Sequence, residues 1–174
     1  MQILAISGSL RLASSNSALV RACALLAPRG VDVAIYEGLG GLPHFNPDYS
    51  DVNVPPPVAD FRSRLDACDA LLICSPEYAH GVPGTLKNAL DWVVGSGELI
   101  DKPVALVNVA PHATHAQASL AETIGMMSGR IVREACVAVP LAGRKLDAPG
   151  IAADAVLAGF VATAINALAH AAGR

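Results

Sequence analysis

The stretch "ALLICSPEYAHGVPGTLKNALDWVVG" (70–95) holds, in order, an apolar run, a loop rich in Gly and Pro, and a segment of helical period. "ALLICS" (70–75) is apolar on both faces, so a strand there needs cover on both sides. Pro76 ends the run. "PGTLKNALDWVVG" (83–95) reads as a helix, with Pro83 near its start and Gly95 at its end. A doubly covered strand leading into a helix points to a parallel sheet sandwiched by helices.

The same alternation recurs on both sides of this stretch. "QILAIS" (2–7) is a first strand, followed by a helix over 15–28 with Leu19, Cys23 and Leu26 at spacings of four and three. "VDVAIY" (31–36) is a second strand. A Pro-rich loop spans 46–57, and its three consecutive prolines stiffen the approach to a helix near 58–67. "PVALVNVA" (103–110) is a fourth strand, 115–128 a helix, "IVREACVAV" (131–139) a fifth strand, and Asp154 to Ala172 an Ala-rich helix. Five rounds of β then α, with no repeat, linker or second domain, predict a single α/β domain over residues 1–174. The expected architecture is a flavodoxin-like three-layer sandwich on a five-stranded parallel sheet. Its order, 2-1-3-4-5, is taken by analogy with that fold.

Composition narrows the class. The chain is 53% hydrophobic and only 16% charged, which supports a real core and excludes global disorder. A net charge of −3 argues against nucleic-acid partners and against a polybasic membrane surface. No apolar run reaches the ~18 residues of a spanning helix, and the N-terminus lacks a basic leader. A cytoplasmic protein without a membrane partner is therefore expected. Cys23, Cys68, Cys74 and Cys136 lie far apart with no CxxC pair, so they read as reduced, small core hydrophobes rather than a zinc site.

The chemistry starts in "SGSLRLASSNSAL" (7–19), which carries five serines, one arginine, one asparagine and no acid. It connects the first strand to a helix N-terminus at the carboxyl rim, where α/β sheets bind ligands. Unpaired N–H groups and the helix dipole favour an anion there. Hydroxyls, Asn16 and Arg11 can add bonds to phosphate oxygens. The loop is neither a Walker A motif, which needs a Lys-Ser/Thr end, nor GxGxxG, since only Gly8 is present. The plainer alternative is a capped turn with Ser14 or Ser15 as N-cap. After the third strand, Gly81, Pro83 and Gly84 restrict a second loop, and Tyr78 and His80 can pack against a ring or offer it a polar edge.

"GSLRLASSN" (8–16) paired with "PEYAHGVPGTLKNALDW" (76–92) resembles the NADPH-dependent FMN reductase family, whose members include quinone, azo-dye and chromate reductases. The family pattern, G-S-x-R-x-x-S-x-N and P-E-Y-x-x-x-x-P-G-x-L-K-N-A-x-D-W, is met at every fixed position. "LPHFNPD" (42–48) resembles the family's segment after strand two. The resemblance implies FMN as cofactor, with Ser9, Arg11, Ser14, Ser15 and Asn16 around its phosphate. It implies that Pro76, Glu77, Tyr78 and His80 line the isoalloxazine. Glu77 has two other roles open to it, fixing its own loop or meeting a partner subunit, and the family often has an aromatic residue where His80 stands. Leu86 and Trp92 are assigned to core or subunit packing. The chain departs from the pattern after strand four, where "APHATHAQASLAE" (110–122) places His112 and His115 in a stretch that is often Gly- and Arg-containing. These histidines could form a polar loop edge or helix cap, touch flavin or substrate, or supply two metal ligands without an evident third.

The resemblance implies an NADPH- or NADH-dependent enzyme that passes hydride through flavin to a quinone, azo compound, metal oxyanion or free flavin. It names no side chain as catalytic and no metal. A homodimer or homotetramer is expected. The competing classes are a flavodoxin-type electron carrier, usually more acidic and with a Thr-rich first loop, and an FMN- or phosphate-ligand-binding regulator without turnover.

Overall fold

In the computed structural model, which describes residues 1–49 and 53–173, five parallel strands form one sheet in the order β2-β1-β3-β4-β5. They are β1 (Gln2–Ser7), β2 (Asp32–Tyr36), β3 (Ala70–Cys74), β4 (Pro103–Val107) and β5 (Arg130–Ile131). The helices are α1 (Ser15–Leu25), α2 (Pro56–Ala67), α3 (Gly84–Asp91), α4 (His115–Met126), α5 (Ala148–Ala153) and α6 (Ala155–Ala172). The central register sets Leu4 beside Leu71 and Ile6 beside Ile73. The fold and strand order match the flavodoxin-like expectation. Residues 50–52, inside the Pro-rich 46–57 segment, lie outside the described residues.

Successive strand residues serve two cores. Ile3, Ala5, Leu72, Cys74, Ala105 and Val107 pack with α1, α5 and α6. Leu4, Ile6, Leu71, Ile73, Val104 and Leu106 pack with α2, α3 and α4. The period of two thus explains why the central strands are apolar throughout. The α6 face carries small strand residues, Ala5, Ala70 and Ala105, opposite an Ala-rich helix. By length and composition α6 is apolar enough to cross a membrane, against the expectation that no stretch is. Gly159, Thr163 and Asn166 interrupt its apolar run, while a helical stripe of Leu157, Val161, Ala164, Ile165 and Leu168 is buried in the core.

Element ends follow local chemistry. Helix α1 stops at Leu25 rather than residue 28, because Pro28 disfavours helical geometry in the residue before it. The fifth strand, expected over 131–139, pairs only through Arg130 and Ile131. A 3-10 turn at Arg133–Ala135 then lifts it off the sheet, and a single bridge between Asn108 and Ala138 resumes the pairing. Cys136 patches the gap: its sulfur accepts the Leu106 N–H at 3.3 Å, and its thiol donates to the Val132 carbonyl. Helix α5 was not expected; it is capped by the Asp147 carboxylate, which accepts the Gly150 N–H.

Candidate functional site

Five buried polar residues stand out among the described residues: Ser9, Ser14, Asn16, Ser75 and Asn108. All of them follow β1, β3 or β4 at the carboxyl rim. Burying polar groups is costly unless they are bonded or used, so their convergence on one rim marks a site.

The first loop is built around its own hydroxyls. Ser7 and Ser17 share a hydrogen bond of 2.9 Å, and the Arg11 N–H donates to Ser9 Oγ. Ser14 is the N-cap of α1, its hydroxyl oxygen accepting the Ser17 N–H. The capped-turn and anion-loop readings therefore coexist: Ser14 spends its oxygen on the helix and keeps its proton to donate. The backbone N–H groups of Ser15 and Asn16 have no protein partner among the described residues. Arg11 is exposed and has no carboxylate partner among them. Asn16 is held from below. The Cys74 thiol, at the end of β3, donates to Asn16 Oδ1 at 3.2 Å. Burial, and then neighbouring Cys23, push the Cys74 thiol well above its ordinary pKa, so it stays protonated and able to donate. With Oδ1 occupied, the Asn16 amide Nδ2 is left to serve the loop.

The first and second loops touch at Gly8. A Cβ there would stand 3.0 Å from Ser75 Oγ and 3.1 Å from Leu86 Cδ2. In the second loop, Tyr78 and Gly81 exchange both backbone hydrogen bonds, while Ala79 and His80 take φ of 50° and 60°. This is a type I′ turn made without glycine at either central position.

The third loop is tied to the second twice. Glu77 Oε2 accepts the Ala116 N–H at 2.8 Å and so caps α4, whose own N-cap residue Thr114 makes no side-chain bond. The His80 and His115 rings stack with centroids 4.2 Å apart and planes 17° from parallel. Asn108 shapes the same loop, accepting the Ala110 N–H and donating to the Ala113 carbonyl.

These loops border a cleft of about 910 Å³, toward the upper end of the ~300–1,000 Å³ of ligand sites. Ser9, Arg11, Ser14, Ser15, Asn16, Pro76 and Tyr78 line it, but Glu77 and His80 do not. Those two face the third loop. His112 is exposed, and its carbonyl accepts the Thr114 N–H. Leu86 is fully buried. Trp92 is also buried, on the other side of the sheet, donating its ring N–H to the Pro43 carbonyl at 2.8 Å. Asn88 accepts the Phe45 N–H and donates to the same carbonyl. The "LKNALDW" segment therefore anchors the "LPHFNPD" segment.

Three features were missed in the sequence. Cys74 looked like core, although it ends the strand that leads into the second loop. Asn108 was the one polar residue in "PVALVNVA" (103–110). The far wall of the cleft comes from Gly143 to Pro149, where an Asp-Ala-Pro helix-start signal was readable.

A mononucleotide phosphate suits the first loop. Three buried polar side chains converge there with two first-turn N–H groups and one guanidinium that have no partner among the described residues, next to an exposed aromatic at Tyr78.

The model of the NADPH-dependent FMN reductase family matches residues 1–143. The chain is 33% identical over 155 residues to an NAD(P)H-dependent FMN reductase of Pseudomonas aeruginosa, covering 86% of this chain and 83% of that protein. It is 39% identical over 109 residues to a quinone reductase of Pseudomonas putida, covering 61% of this chain and 58% of the relative. Among solved structures it superposes on FerB, a flavoenzyme NAD(P)H:(acceptor) oxidoreductase from Paracoccus denitrificans. That match has a TM-score of 0.75 and 28% identity over 97% of both chains. Azoreductase AzrA shares the fold, with a TM-score of 0.57 at 15% identity. With the loop chemistry, the strand order and the sequence match in agreement, the chain belongs to the NADPH-dependent FMN reductase family.

Proposed function

We propose that the cleft holds FMN with its phosphate on the first loop and its ring against Pro76 and Tyr78. NAD(P)H and a small-molecule acceptor then use that cleft in turn. The acceptor is a quinone, azo compound, metal oxyanion or free flavin. The observation that carries this reading is the meeting of Ser9, Ser14, Asn16 and Arg11 with Pro76 and Tyr78 on one cleft at the switch point between β1 and β3.

Bound FMN supplies the hydride chemistry, accepting from nicotinamide and donating to the acceptor. The chain's own residues bind and orient. The Ser9 and Ser14 hydroxyls, the Asn16 amide and the first-turn N–H groups of α1 donate to phosphate oxygens, and Arg11 adds a charge-assisted bond. Cys74 keeps the Asn16 amide in the donating orientation. The type I′ turn holds the second loop rigid beneath Tyr78. Glu77 and the His80–His115 stack fix the third loop to the second, so the mouth of the cleft keeps its shape. The hydride step needs no side-chain acid, and no residue is assigned a catalytic role.

This reading includes a homodimer or homotetramer, supported by the exposed apolar side chains Val94, Ile100 and Met126. It also includes a cytoplasmic location, in keeping with four free cysteines. A monomer in sedimentation would remove the first.

Flavin titration of the purified protein tests the core of the proposal. Arg11→Ala should weaken FMN binding by roughly 1–3 kcal/mol. With NADPH and benzoquinone, double-reciprocal plots should be parallel, because one cleft serves both substrates. A protein that refuses FMN, or intersecting plots, would overturn it.

A further inference from the structure

Four of the chain's 12 Lys and Arg residues line the cleft (Arg11, Arg21, Arg144 and Lys145), against one of its 15 Asp and Glu residues, Asp147. Two of the four are paired with carboxylates, Arg21 with Glu37 and Arg144 with Asp154, which leaves Arg11 and Lys145 as the cleft's cations without a carboxylate partner among the described residues. Asp147 accepts the Gly150 N–H at 2.8 Å and so caps α5. Arg21 faces Glu37 at 3.7 Å.

The phosphate loop uses only Arg11. The opposite wall carries a second pair of cations that one phosphomonoester on α1 does not need. Arg144 is oriented: its guanidinium donates to Asp154 Oδ2 at 2.8 Å, and Asp154 Oδ1 accepts the Val156 and Leu157 N–H groups at the start of α6. Its backbone is fixed as well, the Arg144 N–H donating to the Leu141 carbonyl ahead of Gly143 at φ 77°. Lys145 follows directly and has no carboxylate partner among the described residues. One wall thus presents a planar guanidinium braced by Asp154 beside an exposed ammonium, a combination suited to a phosphomonoester dianion.

The two nicotinamide donors differ by one such group, the 2′-phosphate. We propose that Arg144 and Lys145 form the subsite for the 2′-phosphate of NADPH and set the preference for NADPH over NADH. This rests on the reading of the same cleft as the FMN site, with the donor's adenosine end reaching the Gly143–Pro149 wall.

Calorimetric titration of the FMN-loaded protein with 2′,5′-ADP and with 5′-AMP tests it, since the probes differ only by the 2′-phosphate. The wild type should bind 2′,5′-ADP about tenfold or more tighter than 5′-AMP. Lys145→Ala should lose most of that preference, leaving 5′-AMP binding and the FMN dissociation constant within about twofold. The KM for NADPH should rise in the variant while that for NADH holds. Equal weakening of both probes, or no change in either, would overturn the assignment. A parallel loss of FMN affinity would move Lys145 to the flavin phosphate and also overturn it. Failure of the wild type to take up FMN would bring down the underlying reading of the cleft as well.

Discussion

Asn16 owes its chemistry to a residue 58 positions away. A lone amide at a helix start can present either end to a ligand. The Cys74 thiol, too deeply buried to ionise, removes that choice by donating to Oδ1. Cys74→Ala should therefore weaken FMN binding by about 1 kcal/mol. Cys74→Ser, which keeps a donor, should retain most of the affinity; fluorescence titration of both variants checks this. Ala79 is a second site where one residue departs from its own preference. At φ 50° it occupies a conformation that costs an L-residue roughly 1–2 kcal/mol. Ala79→Gly relieves that strain and should raise Tm by about 2–4 °C in a scanning melt.

At the scale of elements, the loops of this site are held by contacts made in trans. Helix α4 is not capped by its own N-cap residue but by Glu77 from the loop after β3. A carboxylate at a helix N-terminus satisfies an orphan N–H and complements the dipole. Glu77→Ala should cost about 1 kcal/mol in urea unfolding, and Glu77→Gln less, because the amide oxygen still accepts. An equal loss in both variants would show that charge rather than the hydrogen bond sets the effect. The edge strand shows the same dependence on partners. The apolar run over 131–139 predicts a strand. The 3-10 turn interrupts it, and Cys136 satisfies the β4 donor that the ladder would have used. A short, broken edge also exposes less unpaired backbone to other chains.

Across the whole molecule, the sheet divides the chain into two apolar layers and leaves its polar investment on one rim. Two thiols on the α1/α6 side, Cys23 and Cys74, sit within the dry core. Burial pushes the Cys23 thiol up to about 12. An unfolded thiol ionises above about pH 8.5, so between that pH and about 12 the unfolded chain binds fewer protons than the folded one. Stability must fall with rising pH across this window, by up to about 1.4 kcal/mol per pH unit for each such group. Urea unfolding from pH 8 to 11 should therefore show a shallower decline in Cys23→Ala than in the wild type. Parallel declines would mean that Cys23 is not the titrating group.

The sequence by itself determined the layers, the alternation of strand and helix and the serine-rich loop at the start of α1. Those features are local: a strand apolar on both faces, Pro and Gly at helix ends, and serines at a helix start state their roles within a few residues of themselves. It also carried the family pattern, because the fixed positions of the two loops lie in two short, contiguous stretches. Tertiary structure alone decided which residues share the cleft. Glu77, which the sequence left open between a ring contact, a loop brace and a subunit contact, and His80, which the family resemblance put at the ring, both meet the third loop, where the Ala116 N–H and a second imidazole receive them. Cys74 read as core and became a hydrogen-bond donor once β1 and β3 set it under Asn16. The far wall, Gly143–Pro149, meets the first loop only because α5 packs on α1, a contact between segments more than a hundred residues apart that no local pattern encodes.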